Sequence, residues 1–430
     1  MLYRFQKIVH RGQIVWLVAL TAIHSVILQE ISAQDAVTPP VTLAPATPQK
    51  PTDTSAPSAF ESSATLSAYF FGKNNIWDKT YDEIEALKAK SPLVLSVGAN
   101  HWFHIDRNER IYGNGYGVPT ESGTYYYYLG ADYAHKLVGD GFFQEIGAHV
   151  QFKFRDDQND KLRAFYSDTY WFYENYAYAK TSVGTFKAGQ FVTEFGIPWD
   201  GTWWESVPYF DGYKFDPDYG ISWDNTWKVS DKLSIESAAQ FFFVSDGVNG
   251  SIQGADAESG RFLSERNTGV VRLVPTWKFN KDLKLAVGVS GLYGGIKGAQ
   301  HYTNIDDTRG VVGSDATLTY KNFSVFAEYI DAFGATNPLR YVSGGASERV
   351  NSIRGGVSYK YGPATFHVNY SYGWDHHPKG HQSIFAPGLN FQVTKNVVLY
   401  AEYVKWDVTD RRGVTAKFDD GFELIAVWNL

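Results

Sequence analysis

Four ligand-type side chains crowd into "WDHHPKGH" (374–381): Asp375, His376, His377 and His381. Imidazoles and a carboxylate are common transition-metal ligands, and His377 and His381 have the spacing that places two ligands on one helical face. Pro378 and Gly380 exclude a regular helix between them, so no metal is expected there. The carboxylates of "DGYKFDPD" (211–218) are hard oxygen ligands of the kind calcium takes, but the twelve-residue loop that would arrange them is missing. For nucleophilic chemistry the candidates are His367 near Ser371 and the His376/His377 pair, and no G-x-S-x-G places a serine on a strand-to-helix turn. The chain has no cysteine, which removes thiol catalysis, thiolate metal sites and a disulfide framework. No catalytic residue and no cofactor is therefore expected. A different kind of site is suggested by "GTWWESVPYF" (201–210), where aromatics and acid follow one another with no period of 2 or 3.6.

The elements that position these groups follow from composition and pattern. The 430 residues include 29 Tyr, 29 Phe, 13 Trp and 40 Gly, a balance typical of aromatic-girdled β proteins. After the N-terminus no apolar run reaches the length of a spanning helix. At the N-terminus, residues 1–33 read as a signal peptide: Arg4, Lys7 and Arg11 precede the apolar core "IVWLVALTAIHSVIL", and Ala33 is a cleavage point. Its removal takes three of 39 bases and one of 46 acids, leaving a net charge of −9. No basic patch suggests a nucleic-acid partner. Residues 34–76 form a Pro/Thr/Ala/Ser-rich disordered lead, and 77–92 a short helix with acids in its first turn and lysines in its last.

From residue 93 the period is 2. In "LSIESAAQFFFV" (233–244), Leu233, Ile235, Ala239, Phe241 and Phe243 share one face and Ser234, Glu236 and Gln240 the other. "LKLAVGVSGLY" (283–293), "FSVFAEYI" (323–330) and "ATFHVNYSY" (364–372) repeat the alternation at the length of a tilted strand crossing a bilayer. Short turns at 230–232, 280–282, 321–322, 361–363 and 395–396 alternate with long polar loops at 246–265, 294–309, 332–349, 374–382 and 408–418. Extended backwards, this pattern yields sixteen strands and an all-β fold, a transmembrane antiparallel up-and-down barrel over 93–430. Both termini then lie on the periplasmic side of a bacterial outer membrane. An even count permits closure, which removes edges that lipid cannot satisfy. Tyr125, Tyr127, Trp171 and Tyr173 are expected in lipid-facing girdles.

In architecture, 93–430 resembles the sixteen-stranded porins, and "VGTFKAGQFVTEFG" (183–196) resembles the strand before the third loop in the phosphate-selective and related substrate-selective families. The chain does not end in the aromatic residue common to outer-membrane proteins; Trp428 is two from the end and Leu430 is last. The resemblance implies a homotrimer in outer-membrane lipid, and a third loop (193–218) folded into the barrel as the constriction. Such a loop needs aromatics to pack on the inner wall: Trp199, Trp203, Trp204, Tyr209, Phe210 and Tyr213, which also suit sugar stacking. Its acids Glu194, Asp200, Glu205, Asp211, Asp216 and Asp218 oppose only Lys214. Taking the more apolar strand face as lipid-facing, the lumen receives Lys153, Arg155, Arg272, Lys278, Lys284, Arg354 and Lys360, with Glu145, Glu236 and Glu328.

Charged rings at a constriction set ion preference. The expected function is passive diffusion of small hydrophilic solutes or ions, weakly cation-preferring; phosphate selectivity does not transfer to so acidic a loop. Three alternatives stand beside it: a carbohydrate channel with a tryptophan slide, an outer-membrane adhesin or anchor, and a barrel enzyme.

Overall fold

The computed structural model describes Asp82, Ala86 and residues 91–429, except 107–109, 113–115, 119–120, 138–140, 158–169, 198–216, 245–254, 257–260, 301–302, 337–346, 376–379 and 410–412. Nineteen strands, numbered in chain order, lie within these residues. Three are accessory: β2 (Arg110–Tyr112) and β3 (Tyr116–Val118) pair with each other, and β10 (Ala255–Asp256) adds to the end of β11. The other sixteen form the wall. They are β1 (Leu93–Asp106), β4 (Glu121–Lys136), β5 (Phe143–Asp157), β6 (Tyr170–Thr181), β7 (Gly184–Val192), β8 (Pro217–Lys228), β9 (Leu233–Val244) and β11 (Arg261–Lys278). The second half comprises β12 (Leu283–Gln300), β13 (Thr303–Tyr320), β14 (Phe323–Thr336), β15 (Ser347–Tyr361), β16 (Ala364–Asp375), β17 (His381–Thr394), β18 (Val397–Thr409) and β19 (Thr415–Asn429).

Each strand pairs antiparallel with its neighbours in sequence, and β1 pairs with both β4 and β19, for example Leu93↔Tyr133 and Gly98↔Asn429. The sheet is thus a closed sixteen-stranded antiparallel barrel. Closure leaves no row of unpaired amides along a sheet edge.

Local chemistry shapes the short turns. The Ser230 hydroxyl accepts from the amides of Lys232 and Leu233 at 3.2 and 3.1 Å. Asn280 Oδ1 does the same for Asp282 and Leu283 at 2.8 and 2.9 Å. Such side-chain acceptors stand in for a backbone turn bond. The outward face carries Leu129, Val271, Leu273, Val289 and Leu399 in the central band. Trp227, Trp277, Phe279, Phe323 and Tyr359 gather near the short turns, where amphipathic rings suit a membrane interface.

Two expectations need correction. The stretch 294–309 is a continued ladder rather than a loop, since β12 and β13 pair from Leu283↔Tyr320 to Gln300↔Thr303. Pairing satisfies the backbone of these arms, as water would, and adds cross-strand contacts. Tyr173, expected in the lipid girdle, sits at an irregularity in the β5–β6 pairing with the Lys153 ammonium 3.0 Å from its ring centroid. The break in register changes the parity on which that expectation rested. Tyr127 does face outward; the side chains of Tyr125 and Trp171 lie outside the described residues. In the segment before the barrel, Asp82 and Ala86 are helical, and Asp82 accepts from Lys395 in the β17–β18 turn at 2.6 and 2.7 Å.

Candidate functional site: the barrel lumen

Beyond β7 the chain turns into the barrel. The Gln240 side chain receives the Glu194 amide at 2.8 Å and donates to the Val192 carbonyl at 3.0 Å. Ser290 Oγ accepts from the Gly196 amide at 3.1 Å, and Glu328 Oε1 from the Ile197 amide at 2.7 Å. Arg354 donates to the Ile197 carbonyl and, at 2.5 Å, to Glu328 Oε2. These partners belong to β9, β12, β14 and β15, so residues 193–197 run across the inner wall in strand order.

Apolar packing holds the same segment. Phe195 is 2% exposed, in a cluster with Phe191, Phe242, Val270, Leu292 and Val311. All of these are on the inner face, where a water-filled barrel would leave them wet. Gly196 has a φ of 61°, a left-handed conformation that costs glycine little. A Cβ on Gly313 would lie 2.9 Å from Phe195 Cζ, so the bare backbone there is what seats the ring.

Burial continues beyond Ile197. Arg354 is in register with Ser371, Ser371 with Ile384, and Ile384 with Trp406. Ser371, Ile384 and Trp406 are buried, and so are Ala386, Val404 and Ile425. This wall, from β14 to β19, is covered at mid-height.

The wall from β4 to β8 is more open. His149 Nδ1 lies 2.6 Å from Asp132 Oδ1, and the imidazole stacks on Tyr176 at 5.1 Å. Lys187 bridges Asp224 at 3.1 Å and Glu194 at 3.5 Å. The side chains of Asp132, Glu194 and Asp224 remain 48%, 39% and 33% exposed. Lower down, Glu145 accepts from Lys180 at 2.7 Å and Tyr178 at 3.0 Å. On the covered side Arg272 pairs with Asp315 at 2.7 Å and Arg354 with Glu328. Those charges neutralise one another, while the open wall presents three acids to Lys187 and His149. Burial raises the Glu194 carboxyl above the ordinary range, and the Lys187 ammonium opposes that shift.

Of the residues expected at the constriction, Glu194 is in the inward segment. Asp218 is the second residue of β8, in register with Phe191 and fully buried. Asp200, Glu205, Asp211, Lys214 and Asp216, with Trp199, Trp203, Trp204, Tyr209, Phe210 and Tyr213, lie outside the described residues. Lys153, Arg272, Lys278, Lys284, Arg354 and Lys360 alternate onto the inner face, and Arg155 occupies an inner register position. His381 opens β17 with its ring 5.5 Å from that of Tyr372; His376 and His377 fall outside the described residues. His367 and Ser371 share a strand face about 13 Å apart by strand rise, too far for a nucleophile and its base, and His367 instead lies 3.3 Å from Glu402.

Sequence reasoning overlooked Asp132, His149, Lys187 and Asp224. Their signal was present as inward parity on β4, β5, β7 and β8, but which inner positions stay open depends on what covers the opposite wall.

Fold and lumen together define a sixteen-stranded, porin-like barrel. Among solved structures it is similar to OmpF of Salmonella typhi in complex with daunomycin, with a TM-score of 0.54 and 13% identity over 79% of this chain and 97% of that one. OmpT of Vibrio cholerae, in a trimer form, gives 0.52 and 13% over 79% and 99%. The outer-membrane channel DcaP of Acinetobacter baumannii gives 0.51 and 12% over 79% and 97%. No protein-family model matches the sequence, and no curated protein is similar to it by sequence.

Proposed function

We propose that this chain is an outer-membrane porin: a passive channel for small hydrophilic solutes with a weak preference for cations. The observation that supports the reading is the fastening of residues 193–197 across the inner wall; in this reading the loop that follows them makes the constriction. The acids of that loop add to Asp132, Glu194 and Asp224 on the open wall, and fixed charge at a narrow point sets ion preference. The reading requires no catalytic chemistry.

Residues 1–33 are removed on export, 34–76 form a periplasmic lead, and 77–92 are a tether helix, which places the short turns on the periplasmic side. A trimer is favoured by the outer face, where Ala148, Ala177 and Ala188 stand in one register row. Small side chains there permit close approach of a second barrel. The OmpT neighbour is also in a trimer form.

Planar-bilayer recording with the reversal potential in a salt gradient tests the function. Large ohmic steps are expected, with a cation preference that falls in D132N, E194Q and D224N. A folded, heat-modifiable barrel that passes no current refutes it. Block of the current by a maltose-like sugar would show that Trp199, Trp203 and Trp204 serve a carbohydrate channel.

A further inference from the structure

Lys278 and Lys284 are direct cross-strand partners on β11 and β12. Both alternate onto the inner face: Arg272 of β11 bonds Ser290 of β12 inside the barrel, and each lysine is an even number of residues from its strand's member of that pair. Like charges directly opposite one another destabilise a sheet, so such a pair calls for a compensating partner. Among the described residues neither ammonium has one; both are exposed to the lumen, as is Lys360 of β15. The nearest inner acid across the β9–β11 pair, Glu236, is in register with Val274, two inner positions deeper than Lys278.

The inner row continues from Lys284 to Thr319, Ser324 and Ser358 in successive register. Lys360 stands one inner position beyond Ser358, toward the short turns. The inner row at this end of β11–β15 is therefore ammonium and hydroxyl, and the nearest carboxylate, Asp282, stands beyond it in the β11–β12 turn. Ammonium groups and hydroxyls together donate what an oxyanion accepts, and charge-assisted bonds are the stronger kind.

We propose that this crescent binds a small multivalent oxyanion, with Lys278 and Lys284 as the primary contacts, Thr319 and Ser324 donating beside them, and Lys360 reaching a second anionic group. Bound anion removes the repulsion between the paired lysines. The site lies at the end of the lumen opposite the long loops and away from the acidic mid-level, so it holds anions at the mouth without making the constriction anion-selective. It rests on the channel reading only for access through the lumen.

Calorimetric titration of the folded full chain in non-ionic detergent tests it without requiring current. Tripolyphosphate, inorganic phosphate and citrate serve as probes, and the order of their affinities separates phosphoryl from carboxylate ligands. K278Q and K284Q should each weaken binding about fivefold or more, while K281Q, which removes the same charge from the adjoining turn, should change it less than about twofold. Absence of saturable binding at physiological salt, or an equal loss in K281Q, overturns the proposal. In bilayers the same anions should reduce current only from the short-turn side. Ohmic current with no anion binding overturns the site and leaves the channel intact; saturable binding without current does the reverse.

Discussion

Replacing Arg354 by methionine removes the guanidinium that holds both Glu328 and the Ile197 carbonyl. Arg354 and Glu328 have side chains only 4% and 1% exposed and meet at 2.5 Å. Removing one member of such a pair strands the other charge, which typically costs about 3–5 kcal/mol; loss of the bond to Ile197 adds about 1 kcal/mol. Glu328 still accepts the Ile197 amide at 2.7 Å, so the inward segment loses the Arg354 clamp at that residue and keeps the Glu328 one. R354M should therefore lower unfolding stability by about 4–6 kcal/mol in urea, read by tryptophan fluorescence. Its single-channel current should be noisier than wild type. The paired variant E328M/R354M separates the two effects, because two apolar side chains of similar size replace a buried ion pair at little cost. Its stability should return to within about 1–2 kcal/mol of wild type while the current stays noisy, since Ile197 has lost its bonds to both Glu328 and Arg354. An R354M barrel as stable as wild type, with quiet current, refutes the claim that this pair is both buried and fastened to the loop.

Other perturbations follow from the same wall. Gly189 has a φ of 138° and a Cβ there would lie 2.3 Å from the Asn175 carbonyl oxygen; G189A should cost at least about 1–3 kcal/mol, measured by urea unfolding. Because burial holds the Glu194 carboxyl above the usual range, its charge is lost at a higher pH than for an exposed glutamate. Cation preference should fall as pH drops through that point, and reversal potentials in E194Q should lack this step. K187M leaves Glu194 and Asp224 without their shared ammonium, so cation preference should rise. These groups are partly exposed, and stability should change by no more than about 1 kcal/mol; an unchanged reversal potential would show that the open wall does not line the ion path.

The barrel itself was legible because its strands obey period 2 over nearly their whole length. The turns at 230–232 and 280–282 carry the Ser and Asn that close them, and these local signals survive in any context. The stretch 294–309 misled because Gly, Asp and Thr read as loop, although their backbone amides still pair when a neighbouring arm lies alongside. Tyr173 misled because a single irregularity in register reverses parity, and no local residue type announces it.

Residue order alone determined the strand faces, the alternation of short and long connections, and hence a wall closed on itself with Arg272, Lys284 and Arg354 turned inward. Tertiary structure decided which inward charges are spent on each other and which remain open. Arg354 and Glu328 are separated by 26 residues and Arg272 and Asp315 by 43, and only closure and register set them side by side. Phe195 is buried because Gly313 leaves room across the lumen, a contact that no sequence period encodes. Electrostatics at the inner surface depend on such long-range pairings, since an ammonium beside a carboxylate contributes little field and one left alone contributes its full charge.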